Sequence, residues 1–157
     1  MSDTALVRDE MIPSLLVVDD EPAICRLLVR MLQQGREIEI QVAESAAQAR
    51  EQLAQRSFDL VVTDLYMPDE DGISLMQWGR EHHPETSWIV LTGHGTLQTA
   101  VRALQLGAFD FISKPLHKPE LIKSVAHALD ARRLRAERDR LHQELEESNK
   151  LLRRNVE

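Results

Sequence analysis

Four short apolar runs, spaced along the chain and each ending on a reactive polar residue, constrain what this sequence can fold into. LLVV ends on Asp19 and Asp20, DLVV on Thr63 and Asp64, WIVL on Thr92, and FDFIS on Lys114 and Pro115. Short continuous apolar runs bounded by turn-forming residues are the pattern of strands buried on both faces. Stretches of helical periodicity lie between them. Parallel strands need a covering element at every crossover, and those crossovers are right-handed. A doubly wound α/β sheet follows, with the polar residues gathered beyond the carboxyl ends of its strands, where ligands bind in such folds.

The elements can be placed more closely. Residues 14–18 form the first strand, and Pro22 suits the first turn of the helix after it, whose apolar residues Ile24, Leu27, Leu28, Met31 and Leu32 recur at helical spacing before Gly35. A second strand at 38–42 precedes an alanine-rich helix to about Gln55, with Ser45 as its N-cap. The third strand, 60–63, enters a loop, 65–72, crowded with turn formers, and a helix at 73–82. The fourth strand, 88–91, is followed by Gly93-His94-Gly95, then by a helix at 97–106 capped by Thr96 and closed by Gly107. The fifth strand, 109–112, leads to a last helix beginning near Pro119.

Chain length and charge narrow the function. The 157 residues, 43% of them hydrophobic, suffice for one core plus an appendage. A net charge of -7 opposes generic attraction to nucleic acid or an anionic membrane, so direct nucleic-acid binding by this segment is not expected. The single cysteine, Cys25, excludes an intramolecular disulfide and suits a reducing compartment. Residues 1–11 read as a polar tail without a signal-peptide core, and no run approaches the roughly 20 apolar residues of a membrane span. A cytoplasmic, soluble protein is expected.

The strand-end residues suggest phosphoryl chemistry. Asp19, Asp20 and Asp64 converging at one edge would repel one another unless a cation compensated them, and an oxygen-rich site suits Mg2+. Asp64 is then the nucleophile that forms an aspartyl-phosphate, with Asp19 and Asp20 given to the metal. Thr92 offers a hydroxyl donor and Lys114 a point charge for the remaining phosphoryl oxygens. Alone, each has a plainer explanation: a capping aspartate, a strand-end threonine, a solvated lysine. The six histidines show no metal-ligand spacing, and Cys25, Trp78 and Trp88 read as packing residues.

LLVVDDEP around Asp19 and Asp20, DLVVTDLYMPDEDG around Asp64, IVLTGHG around Thr92 and GAFDFISKP around Lys114 resemble the receiver domains of bacterial two-component response regulators. The resemblance spans about residues 12–128. It implies the flavodoxin-like fold with five parallel strands in the order 2-1-3-4-5, an arrangement already documented for the chemotaxis receiver. It also implies phosphoryl transfer to Asp64 from a sensor histidine kinase or a phosphotransfer protein, without sustained enzymatic turnover. By motif position, Asp20 and Asp64 bind Mg2+ directly, Asp19 acts largely through water, and the backbone carbonyl of Tyr66 completes the protein ligands. Lys114 contacts the phosphoryl group, and its peptide bond to Pro115 is cis. Thr92 and Phe111 are the switch residues: Thr92 moves to the phosphoryl oxygens and Phe111 turns into the vacated space. Many receivers carry tyrosine where Phe111 stands. Tyr66 and His94 flank the site, where residues tune the lifetime of the aspartyl-phosphate.

Past Leu129 the composition turns to arginine, glutamate and leucine, without proline or glycine, so 129–157 reads as a helical extension. Ala131, Arg138, Leu145 and Leu152 form one seam position of a heptad, and Leu134, Leu141 and Ser148 the other, interrupted at Arg138 and Ser148. A two-stranded coiled coil, and hence a homodimer through this helix, is expected, as a conduit to a domain beyond Glu157. Two other functions remain open. An aspartate-nucleophile phosphatase would need a second aspartate where Tyr66 stands, and a constitutive coiled-coil scaffold with a pseudo-receiver would not need Asp20, Asp64, Thr92 and Lys114 intact.

Overall fold

The computed structural model describes residues 12–93 and 96–155. His94, the 1–11 tail and the last two positions lie outside the described residues. Five strands, β1 (Ser14–Val18), β2 (Glu39–Ala43), β3 (Leu60–Asp64), β4 (Ser87–Thr92) and β5 (Asp110–Ser113), alternate with helices α1 (Pro22–Gln33), α2 (Ala46–Gln55), α3 (Gly72–His82), α4 (Leu97–Gln105) and α5 (Lys118–Asn155). All pairings are parallel and the order is β2-β1-β3-β4-β5. The chain therefore has the doubly wound, flavodoxin-like fold with an extended C-terminal helix.

Alternation along the strands divides the core into two layers. Leu15, Val17, Leu60, Val62, Ile89 and Leu91 pack with Leu28 and Leu32 of α1 and with Leu121, Val125 and Leu129 of α5. Leu16, Val18, Val61 and Val90 face the other way, onto Ala46, Ala49 and Leu53 of α2, Leu75 and Met76 of α3, and Ala103 of α4. The inner strands β1, β3 and β4 are covered on both faces, so they read as unbroken apolar runs.

Strand boundaries shift by a residue where pairing, rather than hydropathy, sets the end. β2 runs from Glu39 because Glu39 is registered with Ser14, and Ile38 instead packs against the α1 and α5 layer. β5 starts at Asp110, registered with Ile89, which leaves Phe109 before the ladder and 40% exposed. β3 takes in Asp64, which pairs with Leu91. Helix α4 ends at Gln105, one residue before the expected end, where Gly107 adopts φ 110° and lets the chain turn back.

Helix starts follow side-chain chemistry. Ser45, Asp71 and Thr96 each accept a hydrogen bond from the backbone N–H three residues on, at Gln48, Ser74 and Thr99. Helix α5 begins at Lys118 and crosses residues 128 and 129 without interruption. Its root is fixed to the amino edge of the sheet: Arg132 lies 2.6 Å from Asp59 and donates to the Glu85 carbonyl, while Arg135 donates to Ser87. From residue 133 onward the described helix is exposed, with Leu134, Leu141, Leu145 and Leu152 open to solvent. No described helix is long and apolar enough to cross a membrane.

Candidate functional site

β1 and β3 are adjacent and parallel, so their carboxyl ends deliver Asp19, Asp20 and Asp64 to one place. One carboxylate oxygen from each lies within 4.8 Å of the other two. Asp19 is fully buried and Asp64 is buried, whereas Asp20 is only partly covered. β5, on the far side of β4, brings Lys114 to the same point: its Nζ lies 2.9 Å from Asp19 Oδ2 and 3.3 Å from Asp64 Oδ1. The Lys114–Pro115 peptide bond is cis.

The second oxygen of Asp19 accepts the Glu21 N–H at 2.9 Å, and its carbonyl accepts the Cys25 thiol at 3.3 Å. Cys25 thus ties α1 to the backbone of Asp19. Burial, then the charge of Asp19, pushes its pKa up to about 11, so the thiol stays protonated and unreactive. Burial also raises the pKa of the Asp64 carboxyl, and Asp19 raises it further; Lys114 pulls it back without cancelling the rise. For Lys114 burial acts downward, but the hydrogen bond and charge of Asp19, followed by Asp64, outweigh it and the pKa is raised. The ammonium is firmly charged, and it is shared among more negative charge than it can neutralise.

These donors fit a hard divalent cation. All three are carboxylate oxygens, close together and partly desolvated, as Mg2+ or Ca2+ requires. The structure places the remaining expected positions as follows. Thr92, fully buried at the end of β4, accepts the Lys114 backbone N–H on its carbonyl at 2.8 Å. The Tyr66 side chain is 51% exposed, in the loop that follows Asp64. Phe111 on β5 is partly buried and packs against the α2, α3 and α4 layer.

Gly72 belongs to the site although its sequence neighbourhood marks only a turn. A Cβ there would stand 2.2 Å from the Asp64 carbonyl oxygen, and the Gly72 N–H donates to Leu65 at 2.7 Å. The loop after Asp64 closes this tightly only because Gly72 has no side chain. A glycine after an acidic run is a turn signal in sequence; the close approach to Asp64 is tertiary.

Comparison with known proteins shows the family and the fold. The family model of the response regulator receiver domain matches residues 15–126. The chain is 43% identical over 123 residues to the response regulator protein PilR of Pseudomonas aeruginosa, covering 78% of this chain and 27% of PilR. It is 34% identical over 125 residues to the nitrogen assimilation regulatory protein NtrX of Azorhizobium caulinodans, again covering 78% of this chain and 27% of the relative. It therefore spans little more than a quarter of these curated relatives. Among solved structures, NtrX from Brucella abortus superposes with a TM-score of 0.76 at 34% identity, covering 83% of this chain and 29% of that one. The beryllofluoride-activated NtrC4 receiver domain dimer, solved in solution, gives 0.72 at 32% identity, covering 76% and 98%.

Proposed function

Since this chain belongs to the response regulator receiver family, we propose that it accepts a phosphoryl group on Asp64 from a sensor histidine kinase or a phosphotransfer protein. The observation that carries the proposal is the cluster of Asp19, Asp20 and Asp64 at the carboxyl edge of the sheet, of which the two buried members, Asp19 and Asp64, share the Lys114 ammonium. Three carboxylates held this close repel one another, and a divalent cation relieves that repulsion and offsets the further negative charge that a phosphoryl group brings.

Asp19, Asp20 and Asp64, with the Tyr66 backbone carbonyl, would hold Mg2+, which supplies positive charge to the phosphoryl oxygens and offsets their repulsion from the acids. An oxygen of Asp64 attacks phosphorus, the bond from phosphorus to the donor's imidazole nitrogen breaks, and its electron pair stays on that nitrogen. Lys114, already placed against Asp64, meets the charge that the phosphoryl oxygens bring. Thr92 gives its hydroxyl to one of those oxygens, and Phe111 turns into the space that Thr92 leaves. Residues 12–128 form the receiver, and 129–157 carry the change onward to a dimer or an output module.

Helical geometry supports a homodimer through that segment. At 3.6 residues per turn, Leu134, Leu141, Leu145 and Leu152 lie on the side of α5 opposite Val125, Leu129 and Arg132, which face the chain's own receiver. The leucine stripe is exposed and so available to a second copy. Phosphorylation shifts assembly only by its differential stabilisation of one state.

Acetyl phosphate with Mg2+ should label the chain with acid-labile phosphate, and Asp64→Asn should abolish that label. Stoichiometric labelling of the variant would sink the assignment. Light scattering with and without beryllofluoride tests the output step, and an unchanged oligomeric state would leave the tail as a constitutive scaffold.

A further inference from the structure

The loop between β3 and α3 carries Tyr66, and an acidic run, Asp69-Glu70-Asp71, ties it down at three points. Asp69 reaches across to α2, where Oδ2 accepts the Ala47 N–H at 3.1 Å and Oδ1 accepts the Ala46 N–H at 3.5 Å. Glu70 pairs with Arg50 of the same helix, and the Arg50 guanidinium lies 5.2 Å from the centre of the Trp78 ring on α3. Asp71 caps α3 itself.

The Asp69 contacts are not needed to start α2, because Ser45 already caps it from within the same segment. Their distinctive consequence is to join the middle of the loop to a helix that is separate in sequence. The loop's ends are fixed independently: Leu65 donates to the Leu91 carbonyl at 2.8 Å, and the Leu65 carbonyl accepts from Gly72. Between those ends, Met67 is buried in the core layer, and Asp69 and Glu70 add the ties to α2. The N–H groups at a helix start carry partial positive charge, which suits a carboxylate.

We propose that Asp69, supported by Glu70, is a positioning residue that latches this loop to α2 and so sets the Tyr66 backbone carbonyl for Mg2+. The inference rests on the phosphoacceptor reading above, because that reading gives the Tyr66 carbonyl its role. Partners hydrogen-bonded directly to a metal ligand typically change metal affinity by about 10- to 100-fold when removed, and Asp69, which acts through the loop, belongs at the lower end of that range.

The test compares Asp69→Ala, Asp69→Asn and Ser45→Ala in the full chain, by calorimetric Mg2+ titration and by backbone amide exchange. Asp69→Ala should weaken Mg2+ binding by about tenfold and speed exchange in loop 65–71, whereas Asp69→Asn, which keeps an acceptor oxygen, should recover much of both. Ser45→Ala removes a cap from the same helix but should leave Mg2+ affinity and loop exchange unchanged. A loss below about threefold in Asp69→Ala, or an equal loss in Ser45→Ala, overturns the latch. If the wild-type chain itself binds no Mg2+, the phosphoacceptor reading fails, and exchange alone decides the latch: loop amides unaffected by Asp69→Ala overturn it.

Discussion

Strand β3 starts just after Asp59 and ends in Asp64, and the two carboxylates sit in opposite electrostatic circumstances. At the amino edge, Asp59 has its own guanidinium, Arg132 at 2.6 Å, while its other oxygen accepts the Ser14 N–H at 2.8 Å. At the carboxyl edge, Asp64 shares Lys114 with Asp19, and Asp20 adds a further negative charge. Both clusters tie distant segments together. Only the second has charge left over, and burial there opposes ionisation. A tied polar cluster with its charges matched, as at Asp59, shows no such imbalance; the unmatched one at Asp64 is the candidate for chemistry.

The contrast can be broken most directly at Asp64. Asp64→Asn should remove all acid-labile phosphorylation and yet melt above the wild type in Mg2+-free buffer at pH 7. The sign follows from the raised carboxyl pKa: the folded state holds the Asp64 proton more tightly than the unfolded chain. Its contribution to stability is fully present below the unfolded carboxyl pKa and is lost as pH rises through the folded one. The gap between variant and wild type should therefore close on acidification. A variant that melts lower at pH 7 would contradict the idea of a strained edge.

Mg2+ approaches the same imbalance from the other side. At 100 times its Kd it should add about 2.7 kcal/mol to wild-type stability, with a smaller gain in Asp20→Asn at the same concentration. Thermal melts across a Mg2+ series would show this, and equal gains in both chains would remove Asp20 from the site. At the amino edge, Arg132→Ala should cost about 2 kcal/mol in denaturant unfolding, the scale of a hydrogen bond to a charged group, while labelling of Asp64 by acetyl phosphate continues at the wild-type rate. Slower labelling would show that the two edges are coupled rather than separate.

The smallest effect concerns Cys25, beneath Asp19. With its pKa pushed up to about 11, chiefly by burial and then by Asp19, the thiol should resist iodoacetamide at pH 8 in the folded chain and react once denaturant exposes it. Mass spectrometry reads the adduct. Rapid alkylation of the folded protein would mean that the Cys25 thiol is not held buried against Asp19.

The strands were legible because β1, β3 and β4 are covered on both faces, so burial alone writes them as apolar runs. Pairing made β2 and β5 less so: β2 lies at the sheet edge with Glu39, Gln41 and Val42 exposed, and hydropathy misplaced both of its ends by one residue. The triad was legible for a related reason. Parallel strands bring all their carboxyl ends to one side, so residues that directly follow apolar runs meet there whatever their separation in sequence. Gly72 against Asp64, Asp69 on α2 and Arg132 on Asp59 were not legible, since no periodicity ties a loop glycine, a loop acid or a helix-root arginine to the groups they meet.

The sequence by itself thus determined the order of elements, the parallel sheet and the convergence of Asp19, Asp20, Asp64, Thr92 and Lys114, because hydrophobic alternation and crossover handedness leave little choice once strands and helices alternate. Only the tertiary structure decided how the charges are shared. One lysine bridges Asp19 and Asp64, the Cys25 thiol bonds the Asp19 carbonyl, and Asp59 has an arginine of its own. Those outcomes depend on distances of a few ångströms between segments far apart in the chain, and charge interactions in a partly desolvated pocket change steeply over such distances.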